Sequence, residues 1–436
     1  MTKRFVQFRR VCRQGLLVGA LLGVVTTLPV APAQAASEAA VWQALPELSQ
    51  MQQAGLLVLD SHKTPLVSKA AGEAFVPAST TKLVTAFIAL SHWGAEHRFK
   101  TDFFLQTHQD KRYLRVKGYG DPFLTSEELQ RVAANLQTRF QQAGVGRLDG
   151  IVLDVSYFDS DLTLPGSGSS DNPYDAVPSA LAANFNTLYL AKIGGKVVSA
   201  EPQTPLTPLA QALGRDLKPG KQRINNGTDA QVGQRYFAEL LAAFLRQQGT
   251  VMGDEVRWAK VANDAQPFYR HWNAMTLAEV VKPMMKYSTN FIANQLALKL
   301  SAELYGAPAS ADKVRRLFAE QLAAHFDWQG AYIEEGAGLS RNNRLSPQQL
   351  VALLEAFRPW KALLPEVEQG VFAKSGSLIG VSALAGYIQQ QQDWLPFVLM
   401  INEQVPYYLY RNEVAKVLAR ELRAEKPRGP VMQAAP

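Results

Sequence analysis

Apolar residues along the chain fall into two periods. Residues 56–60 and 66–69 are short apolar runs on either side of the polar turn Ser61-His62-Lys63-Thr64, and they predict two strands. After Pro77, residues Leu83, Val84, Phe87, Ile88 and Leu90 lie at helical spacing, so a helix opens at Ser79 and stops at Gly94. From about 99 to 263 the texture changes. Strand-like runs at 103–105, 113–116, 150–154 and 189–193 alternate with an amphipathic helix over Ser126–Gln142, loops at 165–178 and 201–228, and a helix over 229–248. Helices return at 276–304, 311–325 and 347–357. Residues 383–390 and 395–402 read as a hairpin, and 411–423 as a closing helix. No segment repeats another.

The N-terminus follows a different plan. Residues 3–13 are basic, a mostly apolar run of about 16 residues follows, and Ala33-Gln34-Ala35 supplies small residues around a cleavage point. The run is broken by Thr26, Thr27 and Pro29 and is short of the ~20 residues a membrane span needs. Residues 1–35 therefore read as a secretory signal peptide cleaved after Ala35. Cys12, the single cysteine, would leave with it, so no disulfide or thiolate metal site is expected. No later segment approaches a span.

Composition then narrows the function classes. Hydrophobic residues at 47% and charged residues at 19% exclude a disordered or fibrous chain. The formal charge of +7 suggests a nucleic-acid binder until its position is considered. Lys3, Arg4, Arg9, Arg10 and Arg13 lie in the signal, and without them 40 bases face 38 acids. No nucleic-acid partner is implied. The six histidines are scattered and carry no zinc spacing, so neither a metal nor another cofactor is expected.

Three short motifs carry candidate chemistry. Ser79-x-x-Lys82 opens an apolar helix, Ser288-x-Asn290 opens or interrupts another, and Lys374-Ser375-Gly376-Ser377 leads into the hairpin. A serine hydroxyl needs a base to become a nucleophile. Positions i and i+3 share a helix face, so Lys82 can reach Ser79. Lysine acts as a base only when burial or a nearby cation, such as Lys374, depresses its pKa. The helix N-terminus adds donors beside Ser79. Lys374 and Ser375 offer a cation and a hydroxyl to an anionic group, and Gly376 lets a ligand lie close to the strand. The backbone N–H groups of Ser79 and Ser377 can form an oxyanion hole. Each motif alone is a common cap or turn. Their order and context match the set found in penicillin-binding proteins and β-lactamases.

Further segments extend the match: 75–83 around the serine, Gly118-Tyr119-Gly120-Asp121-Pro122, 150–158, Asn184-Phe185-Asn186, Gly336-Ala337-Gly338-Leu339-Ser340-Arg341, and 374–387. On these residues nearly the whole mature chain resembles the class C low-molecular-mass penicillin-binding proteins, the penicillin-binding protein 4-like D-alanyl-D-alanine carboxypeptidases and endopeptidases. Ser79 and Ser288 are separated by almost half the chain, and the family fills that gap with an inserted domain. Two departures stand out. Ser375 replaces the family's usual threonine, and Glu335-Gly336-Ala337-Gly338 stands where Asp-Gly-Ser-Gly is usual, which puts that loop's hydrogen bonding in question.

The resemblance implies an α/β penicillin-binding/β-lactamase-like serine transpeptidase fold, an antiparallel sheet flanked by helices. The penicillin-binding domain would occupy 36–98 and 264–426, the inserted domain 99–263 and a disordered tail 427–436. It also implies roles. Ser79 would be acylated, Lys82 would be the general base, Ser288 would relay a proton to the leaving amine, and Asn290 would hold the substrate amide. Lys374 and Ser375 would bind the terminal carboxylate of D-alanine. Asp154, Arg341 and Ser377 would contact the free end of the stem's diamino acid. The expected substrates are peptidoglycan stem peptides in the periplasm, with β-lactams as acylating inhibitors. Two alternatives remain at this point: a related serine hydrolase such as a β-lactamase or esterase, and a catalytically silent wall-binding protein.

Overall fold

A computed structural model describes residues 32–328 and 330–423. The basic and apolar parts of the expected signal and the expected tail lie outside the described residues. Ala33-Gln34-Ala35 falls within the first helix, α1 (Pro32–Ala44).

The chain builds three sheets. The largest draws on both ends of the sequence: β1 (Ala54–Leu59) and β2 (Pro65–Lys69) join β11 (Glu366–Glu368), β12 (Val371–Leu378), β13 (Val381–Gln390) and β14 (Asp393–Ile401), in the order β11-β12-β13-β14-β1-β2. Every neighbouring pair is antiparallel. Helices α3 (Thr81–Trp93), α7 (Leu277–Tyr287), α8 (Asn290–Tyr305), α9 (Ala311–Phe326) and α10 (Pro347–Phe357) supply the apolar cluster on one face. Helices α1 and α11 (Tyr407–Arg423) cover the other; the short α2 (Pro46–Gln50) follows α1. Side chains alternate across the sheet. Leu57, Ala385, Val398 and Met400 enter the first cluster, while Leu56, Val58, Leu384 and Phe397 enter the second. Burial on both faces is why these strands read as continuous apolar runs.

The second sheet contains β3 (Arg98–His108), β4 (Lys111–Gly118), β5 (Arg147–Asp154), β9 (Val251–Trp258) and β10 (Tyr269–Thr276), in the order β10-β3-β4-β5-β9. It is parallel at β4–β5–β9 and antiparallel elsewhere. It reaches past residue 263, because β10 pairs with β3. Helices α4 (Ser126–Gln142) and α6 (Ala230–Gln247) pack on one face through residues such as Leu136, Phe140, Phe237 and Leu241. A third, three-stranded sheet, β7-β6-β8, uses β6 (Thr187–Ile193), β7 (Lys196–Ser199) and β8 (Gly220–Asn225). β8 and the short helix α5 (Pro208–Leu213) lie in the stretch expected to be loop.

Candidate active site

The segment carrying Ser79 is fixed before the helix starts. Phe75 exchanges backbone hydrogen bonds with Leu345. Asn402, just past β14, receives the Val76 N–H at 2.8 Å and returns an amide hydrogen bond to its carbonyl. Residues Ala78–Thr80 form one 3-10 turn that runs directly into α3. Ala78 has φ 47°, an uncommon left-handed conformation for a residue with a side chain. Two glycines make room for this turn. A Cβ on Gly338 would lie 1.9 Å from the Ala78 carbonyl oxygen, and one on Gly376 would lie 2.9 Å from the Pro77 oxygen and 3.0 Å from the Ser79 nitrogen. The close approach at Gly376, read from the sequence as room for a ligand, is to the protein's own backbone.

Ser79 is partly exposed, whereas Lys82 is fully buried one helical turn on. Lys82 Nζ lies 2.9 Å from Ser79 Oγ, 2.8 Å from Asn290 Oδ1 and 2.7 Å from the Ala337 carbonyl oxygen. Burial pushes the Lys82 amine down to about 7, and the Glu335 carboxylate holds it from falling further. A neutral amine has two N–H donors and one lone pair. Ala337 O can only accept, and Asn290 Oδ1 can only accept, so together they take both donors. The lone pair is left for the Ser79 hydroxyl proton. Asn290 is held in this orientation because its Nδ2 donates to the Tyr174 carbonyl at 3.0 Å. That same contact places the chain's own carbonyl at the amide donor expected to meet substrate.

The loop that offers Ala337 is organised by Glu335, which is completely buried. Its Oε2 accepts from Ala337 N at 2.8 Å. Its Oε1 accepts from Gly338 N and Leu339 N at 2.8 and 2.7 Å, and from Asn343 Nδ2 at 3.1 Å. Gly336 is pinned to both neighbouring helices, by Asn294 Oδ1 on α8 and Thr85 Oγ1 on α3. The sequence marked Glu335 only as a departure. Its role as the hub of the loop comes from burial, which no local pattern displays.

Ser288 interrupts the long helical run. It takes a left-handed conformation, φ 56° and ψ 40°, at the end of α7, and α8 starts at Asn290. Ser288, Thr289 and Asn290 line one cavity together. Lys374 is buried on β12, where its Nζ donates to the Ser375 carbonyl at 2.5 Å. Its amine is pushed well below the usual lysine range by burial first, then by the positive charges of Lys82 and Arg411. Arg411 of α11, which sequence reading did not single out, is buried. It donates to the Gly376 carbonyl at 3.2 Å and to Ser377 Oγ at 2.7 Å. A cation from a distant helix therefore stands behind the Lys374-to-Ser377 strand.

The two remaining candidates are placed differently. Arg341 is exposed, and its guanidinium donates to the Ile379 carbonyl at 2.6 Å, beside the turn between β12 and β13. Asp154 is 2% exposed and committed at the end of β5. Its carboxylate accepts from Ser156 N and Oγ at 3.0 and 2.7 Å, and from Val261 N at 2.8 Å. It lines a cavity of about 520 Å³ whose wall includes none of Ser79, Lys82, Ser288, Asn290 or Lys374. That cavity shares Leu162 and Pro178 with a smaller one that does reach Asn290.

A partly exposed serine with a buried amine at its hydroxyl, in the turn that opens a helix packed against an antiparallel sheet, defines a serine hydrolase of the penicillin-binding and β-lactamase-like class. The chain belongs to the D-Ala-D-Ala carboxypeptidase 3 (S13) family, whose pattern matches residues 34–206 and 217–368. The match stops short of Lys374. The chain is 26% identical over 426 residues to a D-alanyl-D-alanine carboxypeptidase of Actinomadura sp. (strain R39), covering 80% of this chain and 77% of that protein. It is 26% identical over 433 residues to D-alanyl-D-alanine carboxypeptidase DacB of Haemophilus influenzae, covering 83% and 87%. The fold matches the crystal structure of penicillin binding protein 4 (dacB) from Haemophilus influenzae with a TM-score of 0.69 at 21% identity, over 88% of this chain and 99% of that one. The same protein complexed with a β-lactam matches with a TM-score of 0.65. The protein is thus a serine-type D-alanyl-D-alanine carboxypeptidase acting on peptidoglycan.

Proposed function

We propose that Ser79 is the residue acylated in this reaction and that neutral Lys82 is its base. The observation that carries the reading is the donor count at Lys82, which leaves its lone pair facing the Ser79 hydroxyl. Ser79 Oγ attacks the D-alanine carbonyl carbon while its proton passes to Lys82 Nζ. The C–N bond breaks, and the proton reaches the leaving nitrogen through Ser288. Water then hydrolyses the ester along the reverse proton path. Backbone N–H groups of Ser79 and Ser377 receive the oxyanion, with Gly376 allowing the strand to press against the nucleophile's turn. Lys374 and Ser375 receive the substrate carboxylate, and the incoming anion favours the protonated amine that burial alone disfavours. Asn290 Nδ2 meets the substrate amide after giving up the Tyr174 carbonyl.

Arg341 and Asp154 are proposed to read the stem's free diamino acid end. Three of the roughly four acceptor sites of the Asp154 carboxylate are already filled, so Arg341 carries most of that reading. The reaction is placed in the periplasm, with residues 1–35 as the export signal. Among the described residues no helix is long and apolar enough to cross a membrane. The six-stranded sheet and its helices form the catalytic domain, and the stretch from Arg98 to Thr276, which carries the five- and three-stranded sheets, supplies the insertion, longer at its C-terminal end than the expected 99–263 because β10 pairs with β3. The expected result is one penicillin adduct by intact-mass spectrometry on the wild type and none on Ser79→Ala, with D-alanine release lost as well. A persisting adduct would move the nucleophile elsewhere.

A further inference from the structure

Arg411 belongs to α11, the last described helix, yet it is only 7% exposed and reaches the strand that carries the third motif. It donates to the Gly376 carbonyl at 3.2 Å and to Ser377 Oγ at 2.7 Å. Its direction of approach follows from the alternation of β12. Val371 and Ala373 join the apolar cluster shared with α11, and Ser375 and Ser377, in step with them, share that face. Arg411 therefore comes to the strand from the face opposite Lys374. Its charge is still felt in the site: the Lys374 amine is pushed down by burial first, and then by Lys82 and Arg411.

The carbonyl that Arg411 holds belongs to the same peptide unit as the Ser377 N–H. That N–H is one of the two donors assigned to the oxyanion. The other, on Ser79, is adjacent, because a Cβ built on Gly376 would lie 3.0 Å from the Ser79 nitrogen. A peptide unit is planar, and in its trans form the C=O and the N–H point in opposite directions. A donor fixed on the oxygen thus fixes the aim of the N–H on the far side. A cationic donor also polarises the unit, since hydrogen bonds in a chain strengthen one another and charged donors are the stronger ones. The second hydrogen bond holds the same peptide unit from the Ser377 side chain, so two contacts from one guanidinium set its plane.

We propose that Arg411 is a positioning residue for the oxyanion hole. It holds and polarises the Gly376–Ser377 peptide, so that the Ser377 N–H is aimed at the carbonyl oxygen that becomes negative when Ser79 adds. This rests on the roles proposed above for Ser79 and Ser377. Arg411 touches no reacting atom and transfers no proton. Its help grows with the negative charge on the oxygen, so it belongs to kcat and not to KM.

The test uses the full-length mature enzyme and two depsipeptides that differ only at the scissile ester, one with C=O and one with C=S. Sulfur is larger and accepts weakly, so it draws less from donors placed for oxygen. Rates are taken per molecule titrated by exhaustive penicillin labelling, so unfolded protein is not counted. Loss of a whole oxyanion donor costs about 10²–10³ in kcat; Arg411→Met keeps the donor but frees its plane, so kcat on the oxygen substrate should fall about tenfold, with KM within about twofold. The sulfur substrate should fall much less, and Arg411→Lys, which keeps the charge, should lie between Arg411→Met and the wild type on the oxygen substrate. If Arg411→Met yields no penicillin-reactive protein, Arg411→Lys carries the test, and its oxygen rate must still fall more than its sulfur rate. Equal falls on the two substrates, an unchanged kcat, or a loss confined to KM would overturn the assignment and leave Arg411 a structural tie between α11 and β12. In each of those cases a penicillin adduct on the wild type shows that the Ser79 reading stands; a wild type without adduct would overturn that reading and this one with it.

Discussion

The six-stranded sheet has an apolar cluster on each face, and the five-stranded sheet has one such cluster. In the first, alternate residues of β1, β13 and β14 enter two separate apolar clusters. In the second, Phe103, Leu114 and Ile151 enter one cluster, while β3 and β10 are tied by the Asp102–Arg270 ion pair. Beside the first sheet three charged groups are held out of water: Lys374 on β12, Lys82 on α3 and Glu335 in the loop that faces it. There burial pushes the Lys82 amine down to about 7, far enough for base chemistry near neutral pH. The second sheet holds its own core together, while Glu127 of helix α4 and Thr187 and Arg223 of the third sheet lend walls to the cavity beyond Ser288. The buried base therefore sits beside the doubly covered sheet, and the neighbouring cavity takes its far wall from the inserted region.

Three substitutions can break that division, taken from the largest effect to the smallest. Phe237→Ala empties a fully buried position in the α6 core of the second sheet. It should cost about 3–5 kcal/mol in denaturant unfolding. The rate of penicillin acylation per folded molecule should be unchanged; a comparable fall in that rate would show that the sheets do not divide the work. Arg341→Ala should leave unfolding unaltered. It should lower kcat/KM for a full stem peptide by about 10–150-fold, the equivalent of roughly 1.5–3 kcal/mol for a charge-assisted hydrogen bond. A substrate lacking the free diamino acid end, whose carboxylate Arg341 would hold, should not feel the change, and equal losses on both substrates would make Arg341 structural.

Glu335→Gln has the smallest expected displacement on the pH axis, and it is read from the position of the pH profile and not from the rate, because the loop also loses an acceptor. The base must be neutral, so kcat/KM of the wild type should rise with pH through about 7. The Glu335 carboxylate favours the ammonium form, so its removal lowers the Lys82 pKa further. The acid limb of the pH profile should then move to lower pH. A limb that stays in place would mean that the charge of Glu335 does not reach Lys82.

Much of the first sheet and its helices was legible because burial on both sides writes itself as unbroken apolar runs. Helices over Ser126–Gln142 and 347–357 coincide with the observed elements, the strand at 383–390 falls within β13, and that at 395–402 overlaps β14 and runs one residue past its end. The Ser79–Lys82 contact was legible too, since a helix sets the distance from i to i+3. Strands β8, β9 and β10 were not, because their residues are polar or exposed at alternate positions and lie at sheet edges. Glu335, Arg411 and the Tyr174 carbonyl were invisible for another reason. Glu335 bears on Lys82 and Arg411 on Gly376, both far away in sequence, and Tyr174 acts through its backbone, which carries no residue signal. Asp154 shows the converse: a residue readable as a binding group turns out to have its oxygens engaged by the turn that follows it.

The pairing of β1 with β14 sets the order in which the chain can fold. Ala54 lies opposite Ile401, so a strand made near the start of synthesis waits for one made near the end. Sheets closed by such distant partners form slowly, since the entropy of a long loop is lost before any contact is gained. The five-stranded sheet closes earlier, its partners all lying between Arg98 and Thr276. Until β14 arrives, β1 presents an apolar, unpaired edge open to any other strand. A chain cut short before Asp393 would therefore retain Ser79 and Lys82 in its sequence yet be a candidate for aggregation, which makes an intact C-terminus a requirement of assembly as much as of catalysis.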